Sequence, residues 1–242
     1  MNIRTDIVEV AGNTIEVVRK DIKNMHLGVY PPEGKVRLSA PLRTEMDVVR
    51  MFAISKLGWI KKQKKLFRSQ ARETERTYVS RESHYYRGNR YLLDIVYTTG
   101  RQHVELIGSK TLRMHVRTGS NKEQRAKLMK EWYRTMLKKE IPTLLEKWQP
   151  VVGVEVKEWG IKQMRTKWGT CNAQDRRIWL NLELAKKPII CLEYILVHEL
   201  VHLHERHHND RFIAHLDRVM PKWRQHREEL NSLPIVHNDW GY

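Results

Sequence analysis

The stretch His198-Glu199-Leu200-Val201-His202, with His208 six residues further on, decides how this chain is read. Residues four apart on a helix lie on one face, about one turn along the axis. The imidazoles of His198 and His202 can therefore reach a single ion. Glu199 is placed one position on, where its carboxylate can approach a water held at that ion. The preceding residues, Cys191 to Val197, are apolar enough to bury the start of the helix. A helix that crosses a core can hold two ligands rigidly, as a metal site requires.

A third ligand is needed. His208 follows the first histidine by ten residues, a recurring spacing in zinc sites. His207 is the rival, and it stays open against His208, which is favoured. Glu205 stands where the longer motif usually has Gly, so the turn chemistry differs. Several further histidines crowd the segment: His204, His207, His215 and His226. The plain alternative is thus a histidine-rich solvated helix. Cys171 and Cys191 lack the spacing of a paired metal-binding motif and read better as small buried apolar residues.

Length and composition bound the rest. The chain has 242 residues, enough for one large domain or two small ones. Two cysteines argue against a disulfide framework and suit a reducing compartment. No apolar leader opens the chain, and no apolar run approaches membrane-spanning length. The expected location is cytoplasmic, with no membrane partner. The net charge of +17, from 45 Lys and Arg against 28 Asp and Glu, implies attraction to anions. The charge alone does not choose among a small anionic substrate such as a nucleotide, nucleic acid and an acidic surface. The basic run from Lys61 to Arg76 reads first as the solvated face and end of a helix. Only Phe67 and Tyr78 interleave as stacking groups there.

The pattern predicts an α+β fold. Strands are expected at Ile15–Val18, His26–Tyr30 and Lys35–Ser39, the last two joined as a hairpin by Pro31–Gly34. One helix is expected from Thr44 to about Ser69, opened by a capping-box-like Thr44 and Asp47. A meander is expected over Leu92–Tyr97, His103–Ile107 and Thr111–Val116, after a Gly-Asn turn within Tyr85–Tyr91. A long helix should run from about Lys122 to Trp148, capped by Ser120 or Asn121 and kinked or divided at Pro142. Strand material follows at Val154–Lys157, Gly160–Met164 and Arg177–Leu182. A single last helix is expected over Asn209–Leu230. No internal repeat is evident. A weakly marked boundary near residue 120 divides an N-terminal mixed β/helix region, 1–120, from a catalytic domain, 121–242.

Several segments together resemble one family. They are Tyr86-Arg-Gly-Asn-Arg-Tyr91, Met164-Arg-Thr-Lys-Trp-Gly-Thr-Cys171, Ile178-Trp-Leu-Asn181, Lys187-Pro188, Glu193 to His202, Phe212, and Met220-Pro-Lys-Trp223. The set resembles the YgjP-like family of metal-dependent hydrolases, related to the SprT-like and WLM zinc proteases. It is densest from 160 to 225. Thr170 stands where the family usually has Ser, which keeps the hydroxyl. The resemblance implies a zincin-like metal-helix core in the C-terminal half. It implies His198, His202 and His208 as metal ligands and Glu199 as general base.

Zinc is the expected ion, because three imidazoles suit it; Mn2+ or Mg2+ could enter with a nucleotide. Arg165 and Lys167, in the basic turn, are candidate polyphosphate contacts. Asn181, at the end of its strand, is a candidate substrate contact whose rival role is a turn or helix cap. The favoured expectation is a nucleoside triphosphate pyrophosphatase acting on UTP, an activity the family resemblance carries. The alternative is a zinc metallopeptidase acting on proteins, including nucleic-acid-associated ones. A basic binding module with a structural metal is the non-enzymatic third.

Overall fold

The computed structural model describes residues 5–30, 34–69, 75–164 and 167–234. Helices and strands are mixed throughout, as the sequence pattern requires of an α+β chain. The chain forms two compact units, one built before Glu75 and the other spanning Glu75–Leu233. The division therefore falls near residue 75 and not near 120. The reason is packing: Leu112, Met114 and Val116 share one continuous core with Trp132, Leu137 and Ile141 of the helix that follows.

The first unit holds strands β1 (Thr5–Val10), β2 (Asn13–Lys20), β3 (His26–Tyr30) and β4 (Lys35–Pro41), then helices α1 (Met46–Ser55) and α2 (Leu57–Ser69). The single helix expected from Thr44 is thus two, parted at Lys56. Its N-cap is Glu45, which makes no side-chain capping bond, and not Thr44. The β3–β4 hairpin is present, although residues 31–33 of its turn lie outside the described residues.

The second unit opens with β5 (Ser83–Tyr86), β6 (Asn89–Tyr97), β7 (His103–Ile107) and β8 (Thr111–Val116). These do not form the expected meander. The order is β5-β6-β8-β7, with β6 and β8 parallel. The first unit has the same order, β1-β2-β4-β3, with β2 and β4 parallel. Each sheet starts with a two-residue turn at positive φ, Ala11-Gly12 (47° and 72°) and Arg87-Gly88 (48° and 77°). An Asn follows in both cases. Such turns match strand twist and need left-handed residues, hence Gly at the second place. The two units thus share a strand plan that side-chain identity hides.

Helix α3 (Lys122–Val152) then runs unbroken past Pro142, beyond the expected end at Trp148. Asn121 and Gln124 close a reciprocal capping box at its start. Gly153, at φ 78°, ends it in the left-handed conformation. Strands β9 (Glu158–Lys162), β10 (Gly169–Asn172) and β11 (Arg177–Asn181) make a small sheet in the order β10-β11-β9. Val154–Lys157 is not strand; the segment links α3 to β9.

A short 3-10 turn (Leu182–Lys186) leads to α4 (Ile189–Val201), which carries His198 and Glu199. The expected last helix is divided into α5 (Asp210–Val219) and α6 (Trp223–Ser232), because Pro221 cannot continue the ladder. Helix α4 is buried around nearly its whole girth, from Cys191 to Val201. Burial of each large apolar side chain contributes about 1.5–3 kcal/mol, so this helix is held firmly in place. Polar ties hold the helix and the 3-10 turn that leads into it. Glu193 accepts from Lys147 Nζ at 2.5 Å and Trp148 Nε1 at 2.7 Å, joining α4 to α3. The Arg87-Gly88 turn donates to the carbonyls of Ala185 and Lys186, each at 3.0 Å. A Cβ at Gly88 would lie 2.8 Å from Pro188, so the hairpin needs Gly there for contact as well as for φ. No described helix is long and apolar enough to cross a membrane.

Candidate active site

The last turn of α4 and the bend after it bring three imidazoles together. Leu203, His204 and Glu205 turn back over Leu200 and Val201, and the chain reaches His208 just before the N-cap of α5. That cap is Asn209, whose side chain accepts from Phe212 N at 3.0 Å. His208 Nε2 then lies 3.0 Å from His198 Nε2 and 3.1 Å from His202 Nε2. The Phe212 ring packs under all three, with centroids 4.9, 4.7 and 4.7 Å away.

This arrangement fits a cation. Around a tetrahedral zinc, nitrogens at about 2.0–2.1 Å stand about 3.3 Å apart, close to the spacing seen. His202 Nδ1 lies 3.0 Å from the Glu205 carbonyl, so it carries the proton and leaves Nε2 with a free lone pair. One N–H on His208 could serve only one of its two neighbours, so lone pairs face each other unless a positive charge lies between them. Burial pushes His198 down to about 3, helped by the nearby charges of His202 and His208. His202 and His208 are also lowered, first by burial. All three are therefore neutral donors at neutral pH. His198 Nδ1 is buried without a partner among the described residues, so packing orients that ring, against Tyr194 and Phe212.

Glu199 is 5 % exposed, and burial pushes its carboxyl up to about 8 against the opposing pull of Lys167. A dication alongside would favour the ionised form that a general base needs. Its neighbour is the edge strand β10. A Cβ at Gly169 would stand 2.6 Å from Glu199 Oε1 and 2.8 Å from its Cγ. Gly169 thus leaves the space the carboxylate occupies. Cys171 is on the same strand, and burial holds its thiol up at about 11, with the Glu199 charge adding to the effect. It is therefore a neutral thiol and not a thiolate at neutral pH.

The cluster opens into a groove of about 970 Å³. One wall is β10, and the other is α4 with α6. Lys167, Arg206 and Arg227 line it, and Glu199 is the sole carboxylate among its described lining residues. Trp168 O accepts from Asn181 N at 2.9 Å, which sets the alternation of the β10–β11 ladder. Thr170 and Asn172 then bond to β11, while the N–H and C=O of Gly169 and Cys171 point off the sheet edge.

The expected site residues separate clearly. His198, His202, His208 and Glu199 converge, and His207 is exposed and outside the cluster. Lys167 lies in the groove. Arg165 lies outside the described residues. Asn181, expected as a substrate contact, has a structural role instead. It is 4 % exposed and holds the chain around the basic turn, donating to the carbonyls of Met164 (3.0 Å) and Lys167 (2.8 Å). Its Oδ1 caps the 3-10 turn through Glu183 N at 3.2 Å. These bonds leave it a positioning residue and not a substrate contact. Arg206 and Arg227 were not singled out from sequence. They stand among many basic residues, and no spacing marks them.

A family model described as YgjP-like, metallopeptidase domain, matches residues 24–233. No curated protein matches the chain. Among solved structures, the chain is similar to the metallopeptidase zymogen of Pyrococcus abyssi abylysin. There the identity is 19%, covering 40% of this chain and 99% of that chain, with a TM-score of 0.36.

Proposed function

We propose, on the premise that this chain belongs to the YgjP-like metallopeptidase-domain family, that it is a zinc-dependent peptidase acting on extended protein segments. Membership makes it a metal-dependent hydrolase. The finer reading rests on one observation: the histidine cluster and Glu199 face a groove whose wall is an edge strand with outward N–H and C=O groups at Gly169 and Cys171. Such an edge can take an extended peptide as an added strand. His198, His202 and His208 would hold the ion. When bound, a divalent ion there lowers the pKa of water towards roughly 7 and polarises a carbonyl.

The rest is done by the protein. The carboxylate of Glu199 takes the proton from the attacking water and returns it to the leaving amine. Gly169 leaves room for that carboxylate. Phe212 and Tyr194 keep the imidazoles oriented. Lys167, Arg206 and Arg227 favour an acidic segment beside the scissile bond.

The expected UTP pyrophosphatase activity finds no support in the comparisons, which favour the alternative. The same three cations would suit a polyphosphate, so nucleotide turnover is the competing outcome. The test is the purified chain with zinc, manganese or magnesium, offered an unfolded acidic protein such as casein and, separately, nucleoside triphosphates. Zinc-dependent proteolysis that Glu199→Gln abolishes, while metal content holds, is the expected result. Pyrophosphate release without proteolysis would overturn it.

A further inference from the structure

A second cluster of metal-ligating groups lies on the β5–β8 sheet, away from α4. From it we propose that this sheet carries a separate site for a borderline divalent transition cation, held by His103, Glu105 and His115. The three offer ligand atoms that all lie within 4.8 Å of one another. The ladder explains why they meet. His103 and His115 are direct cross-strand partners on β7 and β8, and Glu105 is two residues along from His103, on the same face. That face is the solvent side, since the alternate residues Val104, Met114 and Val116 are buried in the core.

The local contacts fix the His103 tautomer and bring His115 and Glu105 together. The two rings are stacked, with centroids 4.3 Å apart and 5° between planes. His103 Nδ1 lies 3.0 Å from the Arg101 carbonyl, so that nitrogen carries the proton and Nε2 keeps a lone pair. His115 Nε2 is already 3.0 Å from Glu105 Oε1, close to the edge of a tetrahedral ligand set. Parallel rings hold their in-plane lone pairs parallel, so the exposed His103 ring must turn out of the stack to close the third side.

The cation opposite Glu105 does not compete for its carboxylate. Arg113, its cross-strand partner, turns the other way and donates from Nε to Asp94 Oδ2 at 2.8 Å. Two imidazoles and one carboxylate suit Zn2+, Ni2+ or Cu2+ and not Mg2+ or Ca2+. His103 and Glu105 stand on the edge strand β7 and His115 on its neighbour β8, so the backbone that carries the three is already paired. The remaining coordination positions face solvent, which fits a site that loads and unloads with the free metal level. This site is independent of the peptidase reading, because none of its residues lines the groove beside Glu199.

The test counts ions on the full chain. The protein is stripped with chelator and equilibrated by dialysis against buffered free Zn2+ over the micromolar range, then its zinc is measured. The wild-type chain is expected to take two ions. The double variant His103→Gln with His115→Gln is expected to take one and to keep its proteolytic rate. His198→Gln with His202→Gln is expected to keep the other, with zinc-induced shifts at the His103 and His115 ring protons in NMR spectra. Glu105→Gln should lose the ion at this sheet and keep the one at His198, His202 and His208. A wild-type chain that binds a single ion would overturn the proposal, as would two ions retained in the His103/His115 double variant.

Discussion

Replacing Gly169 by Ala is the smallest change that reaches the chemistry without touching a ligand. The added Cβ would stand 2.6 Å from Glu199 Oε1, 2.8 Å from Cγ and 2.9 Å from Cδ. Ordinary contact between such atoms begins near 3.4 Å, so the carboxylate must retreat by roughly 0.8 Å. Gly169 is not at positive φ, so the backbone itself accepts Ala. Glu199 is buried against β10, so the clash is relieved only by moving the carboxylate or the strand. A misplacement of about 1 Å at a reacting group costs on the order of 10²-fold in rate, or about 2.7 kcal/mol of activation free energy. The expected phenotype is therefore kcat down by about two orders of magnitude, with zinc content and Tm near those of the parent. The assay is proteolysis of an unfolded acidic protein by the zinc-loaded chain, with elemental analysis of the same sample. A Gly169→Ala protein that turns over at the parental rate would show that Glu199 does not act from beside this strand. A variant that loses its zinc as well would move the effect from the base to the ligands.

Other expectations follow from single residues. Asn181→Ala strips the bonds to Met164, Lys167 and Glu183 and should cost about 2–3 kcal/mol, read as a Tm roughly 5–10 °C lower while zinc remains bound. Stability should fall on acidification because of His84, whose folded-state pKa burial lowers to about 4 against the pull of Glu82. Below an unfolded value near 6.5 the unfolded chain takes the proton first, so about 2 kcal/mol is lost between pH 7.5 and 5. Urea titrations at both pH values should show that loss, and His84→Gln should flatten it. His208→Ala should lower zinc content far more than His207→Ala; the reverse order would shift the third ligand by one residue.

The metal helix was legible because its signal is local. Spacing of four places His198 and His202 on one face, and the apolar residues from Cys191 to Val201 fit a helix sunk in the core. The strand segments at His26–Tyr30, His103–Ile107 and Thr111–Val116 were legible for the same reason, as alternation is a property of each strand alone. What joins them was not. Nothing in Leu92–Tyr97 says that it pairs in parallel with Thr111–Val116, past the intervening strand. The division near residue 75 was hidden likewise, because Leu112 and Met114 do not announce that they share a core with Trp132 and Leu137. Asn181 was ambiguous from the start: an amide at a strand end can face a ligand or close a turn, and only the carbonyls around it decide. Gly169 was visible as part of a motif, yet its role needs the Glu199 carboxylate in place beside it.

Zinc K-edge X-ray absorption on the chain loaded with one equivalent of zinc tests the central claim most directly. Three imidazole nitrogens at about 2.0–2.1 Å with one further light scatterer are expected, unchanged in Glu199→Gln and reduced by one imidazole in His208→Ala. A sulfur scatterer at about 2.3 Å, or an ion that keeps the same environment when His198 and His202 are both replaced, would contradict it.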